Sequence, residues 1–415
     1  MACKGSGVQI PSAPLKIMKK FLSETKELLL SQGLIAILAI IQVRVVAMNL
    51  GPETYGNIGV YLGLVGISFR FLSSRNSDLV LINFKSTNKN FLKSAIYFEI
   101  LLGMISLIFV YGIFFVYYDF IFNYLLLYFV SRVFVNIQEV FKGVFTHKGD
   151  MKTYSLVESS SNITRFILVV AFVSFNPDIS SFFYALTFHQ LFVGILVLFL
   201  LFRNDTNRPE KINLREYINL SKSNFYKIRT DQSVGLIPTH LDVVVIGYFA
   251  DYYSAGIYRM AKKLVDPINS LIVAFSPWML NKINDESDYN FRNLFTNILL
   301  PSSVIIISFY YFFGNKLIEL IAGNEFRDSF LPMMILIFGF MSYYLTFWTR
   351  HFLFMNNLIH KHTIGRVINL IIFLITAPLL ISNFGFNGIA ISISLSTIFQ
   401  KLYELSSYLK YKNNY

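Results

Sequence analysis

Eight charged residues interrupt stretches of this sequence that are otherwise apolar: Arg44, Arg132, Arg165, Asp242, Arg259, Lys262, Lys263 and Asp266. A charge at the centre of a bilayer costs at least about 2.5–3.5 kcal/mol even on lenient insertion scales. A chain that keeps this many must gather them around a wet interior, and most of them are positive. The chemistry that suits such an interior is anion binding, because a guanidinium fork meets two phosphate oxygens at once and stays charged in any surroundings.

Spacing groups these residues on helical faces. Arg259, Lys262, Lys263 and Asp266 stand at i, i+3, i+4 and i+7, which is one face of a helix. Arg132, Asn136 and Glu139 form a second stripe and Glu158, Asn162 and Arg165 a third. Gln232, Thr239 and Asp242 form a fourth, bent by Pro238. The same residues admit a plainer reading, internal ion pairing of Arg132 with Glu158, Arg165 with Glu139, and Lys262 or Lys263 with Asp266, since buried charges need partners. Asp242 has two readings as well. It is the candidate for coupling transport to a proton or sodium gradient, or it neutralises a neighbouring cation.

The elements that must carry these faces follow from composition. Of 415 residues 54% are hydrophobic and only 14% charged, with a mean hydropathy of +0.54. Apolar runs of spanning length recur along the chain, so the fold class is an all-α polytopic membrane protein of about twelve transmembrane helices. Spans are drawn at 28–48, 56–74, 93–116, 120–142, 155–175, 181–202, 230–250, 256–279, 296–313, 330–353, 364–382 and 386–405. A strand barrel is excluded, because its segments would be short and alternating.

Lysine and arginine gather in the termini and in the loops after even-numbered spans, while the opposite loops hold Lys316 and Arg327. That bias orients both termini to the cytoplasm. It also explains the net charge of +12 without nucleic acid. The longest and most basic connection divides the chain into a cytoplasmic N-terminus 1–27, a six-helix bundle 28–202, a basic linker 203–229, a second bundle 230–405 and a tail 406–415. Residues 1–17 are neither apolar enough for a signal peptide nor patterned as a helix, and Met18 reads as a more natural start.

A shift of 200 residues aligns Gln32 with Gln232, Val43 with Val243, Val45 with Val245, Gly56 with Gly256 and Leu64-Val65 with Leu264-Val265. This is the trace of a parallel repeat of the kind many transporters contain. The one cysteine, Cys3, excludes an internal disulfide, and no metal-ligand cluster, phosphate loop or nucleophile motif is present. No cofactor is therefore expected beyond the coupling ion. His189 and His240 read as lone, locally satisfied span residues, and His351, His360 and His362 as residues around a basic cytoplasmic loop.

Several short segments carry a family resemblance. They are Asn49-Leu50-Gly51-Pro52-Glu53-Thr54-Tyr55-Gly56, Asp242 with Gly247-Tyr248-Phe249 and Ala255-Gly256-Ile257-Tyr258, Ala322 to Ser329, and Asn383 to Ala390. Their order and spacing over roughly residues 18–410 resemble the polysaccharide transporter family. These are O-antigen flippases of Wzx type within the multidrug/oligosaccharidyl-lipid/polysaccharide (MOP) exporter superfamily. The resemblance implies two six-helix bundles facing each other around a central cavity, in the bacterial inner membrane. It implies carriage of undecaprenyl-diphosphate-linked oligosaccharide to the periplasmic leaflet, with membrane lipids and other polysaccharide-assembly membrane proteins as partners.

Basic residues line the cavity in that family, a role that Arg44, Arg132, Arg165, Arg259, Lys262 and Lys263 can fill here. This chain departs from the pattern in placing Glu139, Glu158 and Asp266 close to them. Two other readings keep their place: a cation-coupled drug exporter, which would need acidic rather than basic walls, and a membrane-embedded polymerase or acyltransferase, for which the longest external connection, about 314–329, is short and a nucleophile–base pair is missing.

Overall fold

A backbone that crosses lipid must satisfy its own hydrogen bonds, and the chain answers with helix after helix. The computed structural model describes residues 13–73, 77, 80, 91–118, 123–148, 150–203, 213–285, 295–356 and 358–414, with no strand among them. Eleven helices follow in order: α1 Ala13–Ser73, α2 Leu92–Tyr118, α3 Asn123–Lys148, α4 Met151–Phe175, α5 Ile179–Arg203, α6 Leu214–Phe249, α7 Tyr252–Asp285, α8 Leu300–Ala322, α9 Phe330–Met355, α10 Ile359–Phe384 and α11 Phe386–Asn414. Helix α1 is broken at Gly51, whose torsions (φ 72°, ψ 173°) are not helical. Its two arms make twelve helical segments, in the order of the expected spans.

Eight of the described helices are long and apolar enough to cross a membrane. Helices α6, α7 and α11 fall outside that set; in α7 the charges from Arg259 to Asp266 interrupt the apolar run. They owe their place to packing and to the wet interior they face.

Two boundaries differ from expectation. Helix α1 already runs from Ala13, inside the segment expected to lack helical pattern, while residues 1–12 lie outside the described ones. The basic linker 203–229 is helical from Leu214 onward, as the start of α6, with Asn213 as its cap accepting from the Glu216 amide. Residues 204–212 lie outside the described ones. The Asn213 amide donates to Ser94 Oγ, and buried Tyr217 packs between Phe91 and Phe98. The connection is thereby tied to α2 by packing that loop polarity conceals.

The most extensive packing in the molecule joins α1 to α7, with α6 beside it. Small residues make that approach possible. A methyl group at Gly56 would lie 1.8 Å from the Tyr252 carbonyl oxygen, and one at Gly256 would lie 1.9 Å from that of Pro52. Pro52 and Tyr252 are themselves 200 positions apart, as are Gly56 and Gly256. The contact is reciprocal, each half presenting to the other the residues that the repeat equates, as at a two-fold interface. The glycines with positive φ, Gly51, Gly323 and Gly385, fall in three of the segments that carry the family resemblance. Ser329, in the third of those segments, donates to the Ile257 carbonyl and so ties the Asn324–Ser329 turn to α7.

Candidate substrate cavity

Within the first half lies a cavity of about 670 Å³, walled by α1, α3, α4 and α5 and reached from α6 and α7 by His240, Arg259 and Lys263. Its lining includes five cations, Arg132, Lys142, Arg165, Arg259 and Lys263, against one carboxylate, Glu158. The volume falls in the range of about 300–1,000 Å³ usual for ligand pockets.

Arg132 on α3 and Arg165 on α4 decide the character of this chamber. Neither forms an ion pair among the described residues, and the Nε of each is buried without a hydrogen-bond partner. Arg132 lies over the Phe69 ring, 5.8 Å from its centroid. The expected pairs with Glu158 and Glu139 are therefore not formed. Glu139 turns instead to Lys142, one turn further along its own helix at 3.6 Å, and Glu158 lies near Tyr154 of its own helix. Among the described residues neither carboxylate reaches across to an arginine, and both guanidiniums line the cavity without an ion-pair partner.

The face of α7 is shared between neighbours. Arg259 crosses Gly59, where only the missing side chain leaves it room, donates to the Tyr55 carbonyl and stacks over the Tyr55 ring at 4.2 Å. Lys263 pairs with Asp266 at 2.7 Å with both side chains well exposed, a kind of pair worth under about 1 kcal/mol. Lys262 takes a different partner, Asp242 on α6. Arg44 stands apart: it is exposed and lines none of the chambers described here.

A second chamber of about 510 Å³ lies in the other half, lined by Thr239, Asp242, Lys262, Arg350, Arg366 and Lys401 among others. His240 and Lys263 line both chambers. The two chambers therefore meet at these residues, between the halves, where the central cavity is expected. A groove of about 290 Å³ leaves the same junction between the first arm of α1 and α7, where Ile35, Ala36, Ile40 and Val43 face Leu264 and Pro267. The groove is mainly apolar, with Lys263, Asp266 and Asn269 as the polar residues of its lining.

Residues 22–279 match the polysaccharide biosynthesis protein family. The chain belongs to that family. It is 25% identical over 391 residues to the capsular polysaccharide biosynthesis protein CapF of Staphylococcus aureus, covering 88% of this chain and 93% of that one. Its fold is that of the MOP superfamily. It superposes on the lipid II flippase MurJ in an inward closed conformation with a TM-score of 0.73 at 18% identity, over 91% of this chain and 86% of that one. An inward-facing multidrug MATE transporter of the same superfamily gives a TM-score of 0.70 at 13% identity, over 90% and 94% of the two chains. This member of the family is a multi-pass membrane protein.

Further polar residues lie outside the charged stripes. His362, expected near a cytoplasmic loop, is buried on α10, with Nδ1 3.0 Å from Glu404 Oε1. Glu404 also accepts from Lys401 Nζ at 2.7 Å, Gln400 and Thr349. Lys401 and Glu404 repeat, at i and i+3 of an apolar segment, the anomaly that singled out α7, so the same signal points to them. In the first chamber His189 meets Ser161 at 3.1 Å, and Ser131 donates to Gln190 at 2.8 Å. Lone polar residues of this type carry no periodic signal.

Proposed function

We propose that this protein is a flippase. It takes an undecaprenyl-diphosphate-linked oligosaccharide, the repeat unit of a surface polysaccharide, from the cytoplasmic to the periplasmic leaflet of the inner membrane by alternating access. The observation that carries this reading is the pair of unpartnered arginines, Arg132 and Arg165, lining a chamber whose cations outnumber its carboxylate. A diphosphate replaces the hydration that these guanidiniums forgo, through charge-assisted and bidentate hydrogen bonds. Arg259 adds a third guanidinium, and Lys263 is released from an exposed pair at little cost.

The neighbouring slot supports the lipid half of the reading. A polyprenyl chain needs an apolar path that stays beside the headgroup site, and the groove between α1 and α7 meets the chambers at Lys263. Membership of the polysaccharide biosynthesis protein family and the fold shared with MurJ, a lipid II flippase, agree with it. A polar wall of Gln138, Asn162 and Gln190 offers donors and acceptors to the sugars.

The test is the double change Arg132→Ala and Arg165→Ala in a strain whose surface polysaccharide depends on this gene. At matched protein level in the membrane, surface polysaccharide is expected to fall at least tenfold while lipid-linked repeat units accumulate, and the Arg→Lys pair should recover part of it because charge returns without the fork. Unaltered polysaccharide in the double alanine variant would refute the reading.

A further inference from the structure

Asp242 is the residue at which a coupling cation was expected, and its surroundings are already occupied. The side chain is buried. Its Oδ1 accepts from the Val243 amide at 2.8 Å, and its Oδ2 accepts from the Tyr258 hydroxyl at 2.9 Å and from Lys262 Nζ. The same ammonium donates to the Thr239 carbonyl at 2.7 Å, one residue beyond Pro238 in α6. One carboxylate oxygen and one main-chain carbonyl beside a helix-bending proline are the ligand types a transporter offers to a bound monovalent cation. Here the positive group among them is a side chain.

We propose that Lys262 is a built-in counter-ion, its ammonium standing where an alkali cation would otherwise sit on Asp242, so that this protein binds no sodium there. Two physical effects keep a free ion out. The ammonium is tethered by its own helix, so it competes at high effective concentration. A second monovalent cation about 4 Å from it would lose affinity roughly a thousandfold at an effective dielectric near 20. Further charges in or around this chamber do not supply the missing negative charge. Arg350, Arg366 and Lys401 are cations, Asp266 is paired with Lys263, and Glu404 is engaged by Lys401 and His362.

The inference assigns Lys262 to Asp242 and not to cargo, separating it from Arg259 and Lys263 on the same helical face. It also predicts a latent site: with the ammonium removed, the Asp242 carboxylate is left to attract an inorganic cation.

Equilibrium binding of radiolabelled sodium to the full chain, purified in detergent, tests this without any cargo, so failure of the flippase reading leaves the measurement intact. Wild-type protein is expected to show no saturable sodium binding. The Lys262→Met variant should bind sodium saturably, and the Lys262→Met/Asp242→Asn double variant should not. Saturable binding by the wild type that Asp242→Asn abolishes would overturn the proposal. So would a folded Lys262→Met protein, monodisperse by size exclusion, that binds no more sodium than wild type. If Lys262→Met does not fold, Lys262→Gln serves in its place, and the wild-type arm remains decisive on its own.

Discussion

At the scale of single residues the second half of the protein holds a charge cluster that must be kept whole. The Lys401 side chain is 2% exposed and that of Glu404 fully buried, and His362, Thr349 and Gln400 complete the shell around the carboxylate. Replacing such an arrangement with apolar groups is often neutral, whereas removing one partner leaves a buried charge uncompensated, at a cost of about 3–5 kcal/mol. Glu404→Gln is therefore expected to lower the thermal unfolding midpoint of the purified protein markedly, because Lys401 is left with no anion. Lys401→Met combined with Glu404→Gln should recover most of the loss. A double variant as unstable as the single would show that the ion pair is not the source. The Lys401 ammonium also sits 4.4 Å from the Tyr343 ring centroid, which will keep recovery incomplete.

At the scale of elements, the closest approach along the seam of α1 and α7 is backbone against backbone, at Gly56 and Gly256. At Gly56 the nearest obstacle to a Cβ is main chain, the Tyr252 carbonyl at 1.8 Å, so a methyl there cannot be absorbed by a rotamer change and the helices must separate. Gly56→Ala is expected to cut surface polysaccharide by about tenfold or more at matched membrane level. Gly112→Ala on α2, where no atom lies within 4 Å of the added carbon, should be silent. Normal polysaccharide in Gly56→Ala would mean that the seam yields easily and does not gate the cavity. The equivalence of Gly56 with Gly256 is visible in the sequence as a repeat, but their contact is not. A repeat says which residues correspond, and only the packing says that they meet.

At the scale of the whole molecule, the helical segments and the cationic interior were legible because both follow from strong energetic rules, the cost of unpaired backbone and of unpaired charge in lipid. The partners of those charges were not legible. Arg132 and Glu158 line one cavity from neighbouring helices, yet no ion pair joins them among the described residues. Asp242 and Lys262 find each other across α6 and α7, where the sequence offered Asp266 on Lys262's own face. His362 reads as a residue around a cytoplasmic loop because the apolar run begins at 364, five residues after α10 begins. Helical spacing fixes the face a residue occupies and leaves open which neighbour its flexible end will choose.

Orientation is a property of the molecule as a whole, and the distribution of basic residues predicts it. The first helix begins in a segment with Lys16, Lys19, Lys20 and Lys26, and the last ends with Lys410 and Lys412. The end of α8 and the turn that follows it, in contrast, have Lys316 and Arg327 as their basic residues, offset by Glu319, Glu325 and Asp328. Basic loops are retained on the cytoplasmic side, so a green fluorescent protein fused after Tyr415 should fluoresce, while alkaline phosphatase fused after Gly323 should be active outside. The reverse pattern would invert the protein, and with it the direction in which the cavity of Arg132 and Arg165 first meets its anion. The fusions need no knowledge of the sugar carried.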